Sequence, residues 1–150
     1  MKRWVLLMAS ALAATACGHD FEPPDPQVRV SRAEGVYAAE LFDTVTWASD
    51  SERTVAGNAV YAEKCRRCHG PLGQGGTEYA NERGLEVPSL VAPNPAFDMS
   101  LDSLRWRIFT GHAKGMPTFG VAGVSPREID SSAFYLVFTL RPDVLGTGGG

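Results

Sequence analysis

The chain has 150 residues, 44% hydrophobic and 21% charged, the proportions of one small globular domain plus appendages. Its formal charge is −3 and it carries no block of basic residues, which argues against nucleic acid as a partner. No internal repeat of about 20–50 residues is visible, which speaks against solenoids and propellers.

Residues 1–16 read as a secretory signal peptide. Lys2 and Arg3 form a positive n-region, and residues 4–16 are a mostly apolar run without charge. Such a run is too short to span a bilayer comfortably but right for a secretory h-region. It closes on Ala14-Thr15-Ala16, the A-x-A form that is cut before the next residue, here Cys17. The same stretch resembles a bacterial lipobox, with Ala14 where leucine is usual, and in that case Cys17 receives lipid through its sulfur. A free exposed thiol is a liability in an oxidising compartment, which favours lipid on Cys17. The expected location is therefore the periplasmic side, lipid-anchored to a membrane, or soluble periplasmic if Cys17 is unmodified. Loss of Lys2 and Arg3 takes the formal charge from −3 to −5.

Residues 17–50 are expected to form a lipid-anchored, proline-rich linker and N-terminal extension. Residues 18–30 ("GHDFEPPDPQVRV") are acidic and proline-rich and read as extended chain. If all of 18–50 were extended at about 3.1 Å per residue, the reach would be roughly 100 Å. Residues 31–48 carry Val36, Tyr37, Leu41, Phe42, Val45 and Trp47, too much apolar surface for a free tether. Part of this segment should pack on the domain, with no periodicity that selects helix or strand.

The domain proper is expected over 51–145. Asp50 or Ser51 can cap a helix with Glu52 in its first turn, and residues 52–65 then run without proline. Gly57 and Tyr61 are four apart, so they share a face and leave a notch beside an aromatic ring. A glycine within a helix costs about 1 kcal/mol against alanine, so it usually marks a close crossing. Residues 71–98 hold Pro71, Pro88, Pro93 and Pro95 and show little helical period. A loop of that length in a compact domain needs an organiser, and a large bound cofactor would serve. Ser100 then caps a helix with Leu101, Leu104 and Ile108 on one face and Gly111 after its end. Ser125 to Glu128 is a capping box with Pro126 at the first helical position. Ile129, Ala133, Leu136, Val137 and Leu140 follow at helical spacing, and Pro142 is expected to stop the run. Residues 146–150 should fray as a flexible tail. Three or more helices and no convincing strand make the chain all-α.

The residues 61–76, "YAEKCRRCHGPLGQGG", put Cys65, Cys68 and His69 within five positions. A structural zinc site needs four ligands. These residues supply three, Cys68 and His69 are awkwardly adjacent, and no second cysteine pair exists. A redox dithiol belongs at a strand-to-helix turn, whereas this motif follows a helix and precedes a loop. C-x-x-C-H is the attachment motif of c-type haem. Two thiols three residues apart on helical chain can add to the two vinyl groups on one side of a porphyrin. The next residue then lies under the iron, where an imidazole can ligate it.

With that motif in place, residues 51–141 resemble the class I c-type cytochromes. The likeness runs in order through the helix with Gly57 and Tyr61, "CRRCHG", "VPSL" (87–90), "GMPTFG" (115–120) and a last helix with Tyr135. The resemblance implies a cytochrome c fold around one covalent haem c, whose first and last helices cross at Gly57, Tyr61 and Tyr135. It implies that His69 is the proximal ligand, that the Pro88 segment supplies a backbone carbonyl to its other ring nitrogen, and that Met116 is the distal ligand. Met99 and His112 are the rivals. Met99 most simply joins the core, and His112, just after a helix end, can interact with the helix dipole.

Histidine and thioether together leave iron no vacant site, and methionine raises the potential. The expected function is one-electron transfer at the membrane between redox complexes, without a small-molecule substrate. Two alternatives remain open here. One is a fixed subunit of a larger oxidoreductase complex, docked through Tyr37, Phe42 and Trp47. The other is a peroxidase, which needs a displaceable sixth ligand.

Overall fold

The computed structural model describes residues 24–147. The signal peptide, Cys17, the first linker residues and tail positions 148–150 lie outside the described residues.

Helix α1 is Pro26–Val36, which corrects the reading of 18–30 as extended throughout. Asp25 Oδ1 accepts from Gln27 N at 2.7 Å, and Pro26 sits at the first helical position, where its fixed φ suits the helix and no donor is missed. The cap and the proline together start a helix that composition alone presents as linker. Val30 and Ala33 are buried, and α1 lies against α5 (Leu101–Thr110). The extension then packs as expected. The Tyr37 ring meets Phe109 edge-on at 5.4 Å, Phe42 is buried, and Trp47 Nε1 donates to Asp130 at 2.7 Å.

Helix α2 is Asp50–Val60, capped by Ser49 rather than by Asp50 or Ser51. Ser49 Oγ accepts from Glu52 N at 3.1 Å, and Glu52 Oε2 accepts from Ala48 N at 3.0 Å. Both expected caps fall inside the first turn, where acidic Asp50 and Glu52 suit the positive end of the helix dipole. The helix continues through a π turn, Tyr61–Cys65, into α3, Arg66–His69. Next come the short α4, Glu78–Glu82, then α5, then α6, Pro126–Tyr135. The capping box of Ser125 and Glu128 forms as expected. Among the described residues there is no strand, only an isolated bridge between His112 and Met116.

Pro142 does not stop the last helix. A second π turn, Leu136–Leu140, follows α6 and leads into α7, Arg141–Leu145. The π turn shifts the hydrogen-bond register by one residue, and Pro142 then lies in the opening turn of α7, where its missing N–H is tolerated.

α2 crosses α6 at Gly57. A Cβ there would overlap the Ser131 carbonyl and stand 2.7 Å from Tyr135 Cβ, so only glycine permits this approach. Tyr61 and Tyr135 pack beside it with ring centroids 5.7 Å apart. Burial pushes the Tyr61 phenol pKa up, keeping it protonated to donate to the Gly70 carbonyl at 2.6 Å. The crossing thus ties directly to the residue after His69.

Two polar clusters were invisible to hydrophobic patterning. Asp130, 1% exposed, accepts from Arg53, Arg105 and Trp47, joining α2, α5 and the extension to α6. Arg141 donates to the carbonyls of Leu90, Ala92 and Pro93. With Leu90 N donating to Gly73 O at 2.8 Å and Thr77 Oγ1 to Arg67 O at 2.9 Å, Arg141 organises the 71–98 segment. Hydrogen bonds of the polypeptide thus help hold that segment, which also contains α4.

Candidate haem site

A cavity of about 680 Å³ opens between α3, α5 and the loops 85–97 and 112–119. Cys65, Cys68, His69, Pro88 and Met116 all line it, so the fold brings the haem-site residues expected from the sequence to one cavity. Leu90, Phe97, Leu104, Ile108, Phe119 and Leu136 supply much of the rest. Its size and apolar lining are those of a site for a large ligand.

The motif is presented by the chain's own hydrogen bonds. Gly70, at φ +79°, ends α3, and Gly75 N donates to the His69 carbonyl at 2.8 Å. At Gly75 a Cβ would meet the Val87 carbonyl at 2.5 Å, so the glycine lets the 87–90 strand of loop lie directly against the residues after the motif. Thr77 Oγ1 also accepts from Ala80 N as the cap of α4, locking that loop from the other side.

His69 Nδ1 is buried without a hydrogen-bond partner. Burial lowers the imidazole pKa, and the Pro88 backbone carbonyl works in the opposite direction, from a position short of full hydrogen-bond geometry. A neutral imidazole beside that carbonyl is what a metal-binding histidine needs, since such a second bond fixes the tautomer and the ring. The orphaned nitrogen, the adjacent thiols and the apolar cavity therefore fit a haem.

The rival chemistries fit less well. Both thiols are unpaired, and burial pushes the Cys65 pKa up to about 12, whereas a redox dithiol needs a lowered one. Among the described residues, no three His, Cys, Asp or Glu side chains converge to hold a metal ion as a zinc site would.

A family model described as cytochrome c oxidase, cbb3-type, subunit III matches residues 52–136, more than half of the chain. The chain belongs to this family. It is a c-type cytochrome with the all-α cytochrome c fold, carries iron in covalently bound haem c, and is a haem-binding electron carrier. No solved structure matches it. Among the described residues no helix is long and apolar enough to cross a membrane.

The candidates for the distal position in this cytochrome lie at different places. Met99 packs against the core and takes no part in the cavity wall. His112 and Met116 both reach the wall, from one turn closed by His112 N donating to Met116 O at 3.0 Å. His112 Nδ1 accepts from Lys114 N at 3.1 Å. That bond engages one ring nitrogen of His112 within its own turn. Sequence reading missed Arg107, which lines the cavity and donates to the Gly111 carbonyl at 3.1 Å. Its signal was its place in the last helical turn, where arginines bond terminal carbonyls.

Proposed function

We propose that this cytochrome is a one-electron carrier tethered at the membrane, passing electrons between membrane-bound redox complexes. Haem c is attached through Cys65 and Cys68, with His69 and Met116 as axial ligands. The observation that carries this reading is the convergence of those four residues and Pro88 on one mainly apolar cavity. Bound haem supplies the one-electron couple of its iron. The polypeptide's part is to hold the His69 ring beside the Pro88 carbonyl, to present the Met116 thioether from a closed turn, and to exclude water with apolar side chains. A neutral soft ligand and a low-dielectric wall both disfavour the additional charge of ferric iron, so both raise the potential.

Denaturing electrophoresis with a haem stain tests attachment. The cofactor should migrate with the chain, and replacing Cys65 and Cys68 with alanine should abolish the stained band. Haem extracted by acidified organic solvent from the unaltered protein would refute the assignment.

The tether is proposed to be lipid on Cys17. With α1 starting at Pro26, residues 18–25 can extend at most on the order of 30 Å, far below the roughly 100 Å reach of a wholly extended 18–50. Cys17→Ser should move the protein from the membrane to the soluble fraction with an unchanged haem spectrum.

The short leash and the family description together favour a second reading, a fixed subunit of a membrane-associated oxidoreductase complex. Its docking would not use Tyr37, Phe42 and Trp47, whose rings are engaged with Phe109, the buried core and Asp130. Sizing in mild detergent separates the readings: a stable co-purifying assembly supports the subunit, a monomer the carrier.

A further inference from the structure

Three long cationic side chains line the haem cavity: Lys64, Arg107 and Lys114. Two of them have acids, with Lys64 Nζ 2.9 Å from Glu63 and Lys114 Nζ 3.0 Å from Glu86. Arg107 has none among the described residues. It is half-buried in the last turn of α5, facing a mainly apolar cavity. Its bond to the Gly111 carbonyl is ordinary for an arginine at a helix end, but uses one of the five guanidinium donors. The guanidinium also lies 4.5 Å from the centroid of the Trp106 ring, but neither partner is an acid, so its charge is unmatched by any carboxylate among the described residues.

Haem brings two propionate carboxylates. We propose that Arg107 is the anion-binding residue of this cavity, pairing through its remaining donors with a haem propionate. The inference rests on the haem reading above. A planar guanidinium suits a carboxylate because it can donate two parallel bonds. The same side chain would then link the propionate to Gly111, which sits at φ +70° and has no room for a Cβ, since one would stand 2.5 Å from the Pro117 carbonyl oxygen and 2.6 Å from that of Met116. Arg107 thus joins one edge of the cofactor to the base of the turn that carries Met116.

Charge gives the proposal a signature that a structural role lacks. An ionised propionate stabilises ferric iron and lowers the potential, and a paired guanidinium offsets it. Pairing also keeps the propionate ionised throughout the working pH range, because an opposite charge favours the charged form. Without Arg107, burial raises the propionate pKa and the potential comes to depend on pH, falling as pH rises through it. The other charged or titratable side chains at the cavity, beyond the haem-binding set, are Lys64, Glu86, His112 and Lys114. These are common to the unaltered and variant proteins, so their contribution cancels in the difference.

The experiment compares reduction potentials of the haem-loaded protein and Arg107→Gln between about pH 4 and 8. The variant is expected to have the lower potential at high pH and a steeper downward slope with pH than the unaltered protein. Parallel curves, whatever their offset, overturn the proposal and leave Arg107 only its bond to Gly111. If Arg107→Gln yields no holoprotein, Arg107→Lys answers by the same curves. A lysine is a point charge without the fork, so a smaller slope is expected and parallel curves again overturn it. Haem attachment and axial ligation are measured first on the unaltered protein. Their failure would refute the haem-site reading, whereas parallel curves with both intact refute Arg107 alone.

Discussion

Asp130→Ala is expected to cost the folded protein about 3–5 kcal/mol, the usual effect of removing one partner from a buried ion cluster. Against a total stability of about 5–15 kcal/mol, that is the largest single-residue loss we expect outside the haem site. Asp130 is 1% exposed and receives Arg53 at 2.8 and 2.5 Å, Arg105 at 3.0 and 2.5 Å, and the Trp47 indole at 2.7 Å. Truncation leaves two guanidinium groups facing each other, 14% and 19% exposed, with no acid between them except Asp102, which reaches Arg105 alone. Burial acts to raise the Asp130 carboxyl pKa, but the hydrogen bonds from Arg53, Arg105 and Trp47 outweigh it and hold the pKa below the ordinary value. A carboxylate with a depressed folded pKa contributes its stability above the unfolded pKa, about 3.9, and loses it as pH falls through the folded value. Urea midpoints of the unaltered holoprotein should therefore drop steeply only below about pH 4, and that acid-dependent drop should be smaller in Asp130→Ala. A neutral-pH loss below about 1 kcal/mol would contradict the role given to this cluster.

Asp130 also shows where the sequence was legible and where it was not. The apolar positions of α6 announce themselves by spacing, and Gly57, Tyr61 and Tyr135 announce a helix crossing. Local chemistry of this kind is encoded within a few residues. Asp130 and Arg141 act on partners 25 to 83 and 48 to 51 residues away, and no periodicity marks a charged residue that turns inward. The haem site was legible because C-x-x-C-H encodes the attachment geometry in one turn of chain, and the turn that brings Met116 to the cavity because glycine and proline flank it. Arg107 was not, since an arginine near a helix end has an ordinary explanation. The linker was misread for a physical reason: proline signals extended chain in general, but an aspartate just before it converts the same residue into a helix start. Pro142 was misread likewise, because the π turn that makes it tolerable leaves no trace in the pattern.

Met116→Ala should abolish the weak far-red sulfur-to-iron charge-transfer band of the ferric protein and lower its potential by on the order of 0.1 V or more, given that axial ligands shift haem potentials over about 0.8 V. The turn is built to present this side chain. Gly115 sits at φ +112°, where a Cβ would stand 2.6 Å from Leu85 Cδ2, and Pro117 follows with its rigid ring. The bridge of His112 N to Met116 O closes the turn, and Gly115 N donates to His112 O at 3.1 Å. His112→Ala should loosen the turn by removing the acceptor for Lys114 N, yet leave the band in place, because the band reports sulfur bound to iron and not an imidazole. Met99→Leu should leave both band and potential close to the starting values, since Met99 only fills space in the core. Magnetic or absorption spectra of the three ferric variants decide the matter together. If His112→Ala removes the sixth ligand while Met116→Ala keeps it, the assignment of Met116 fails. Iron would then be bound by two imidazoles, and the carrier would work at a lower potential, changing which partners can reduce it.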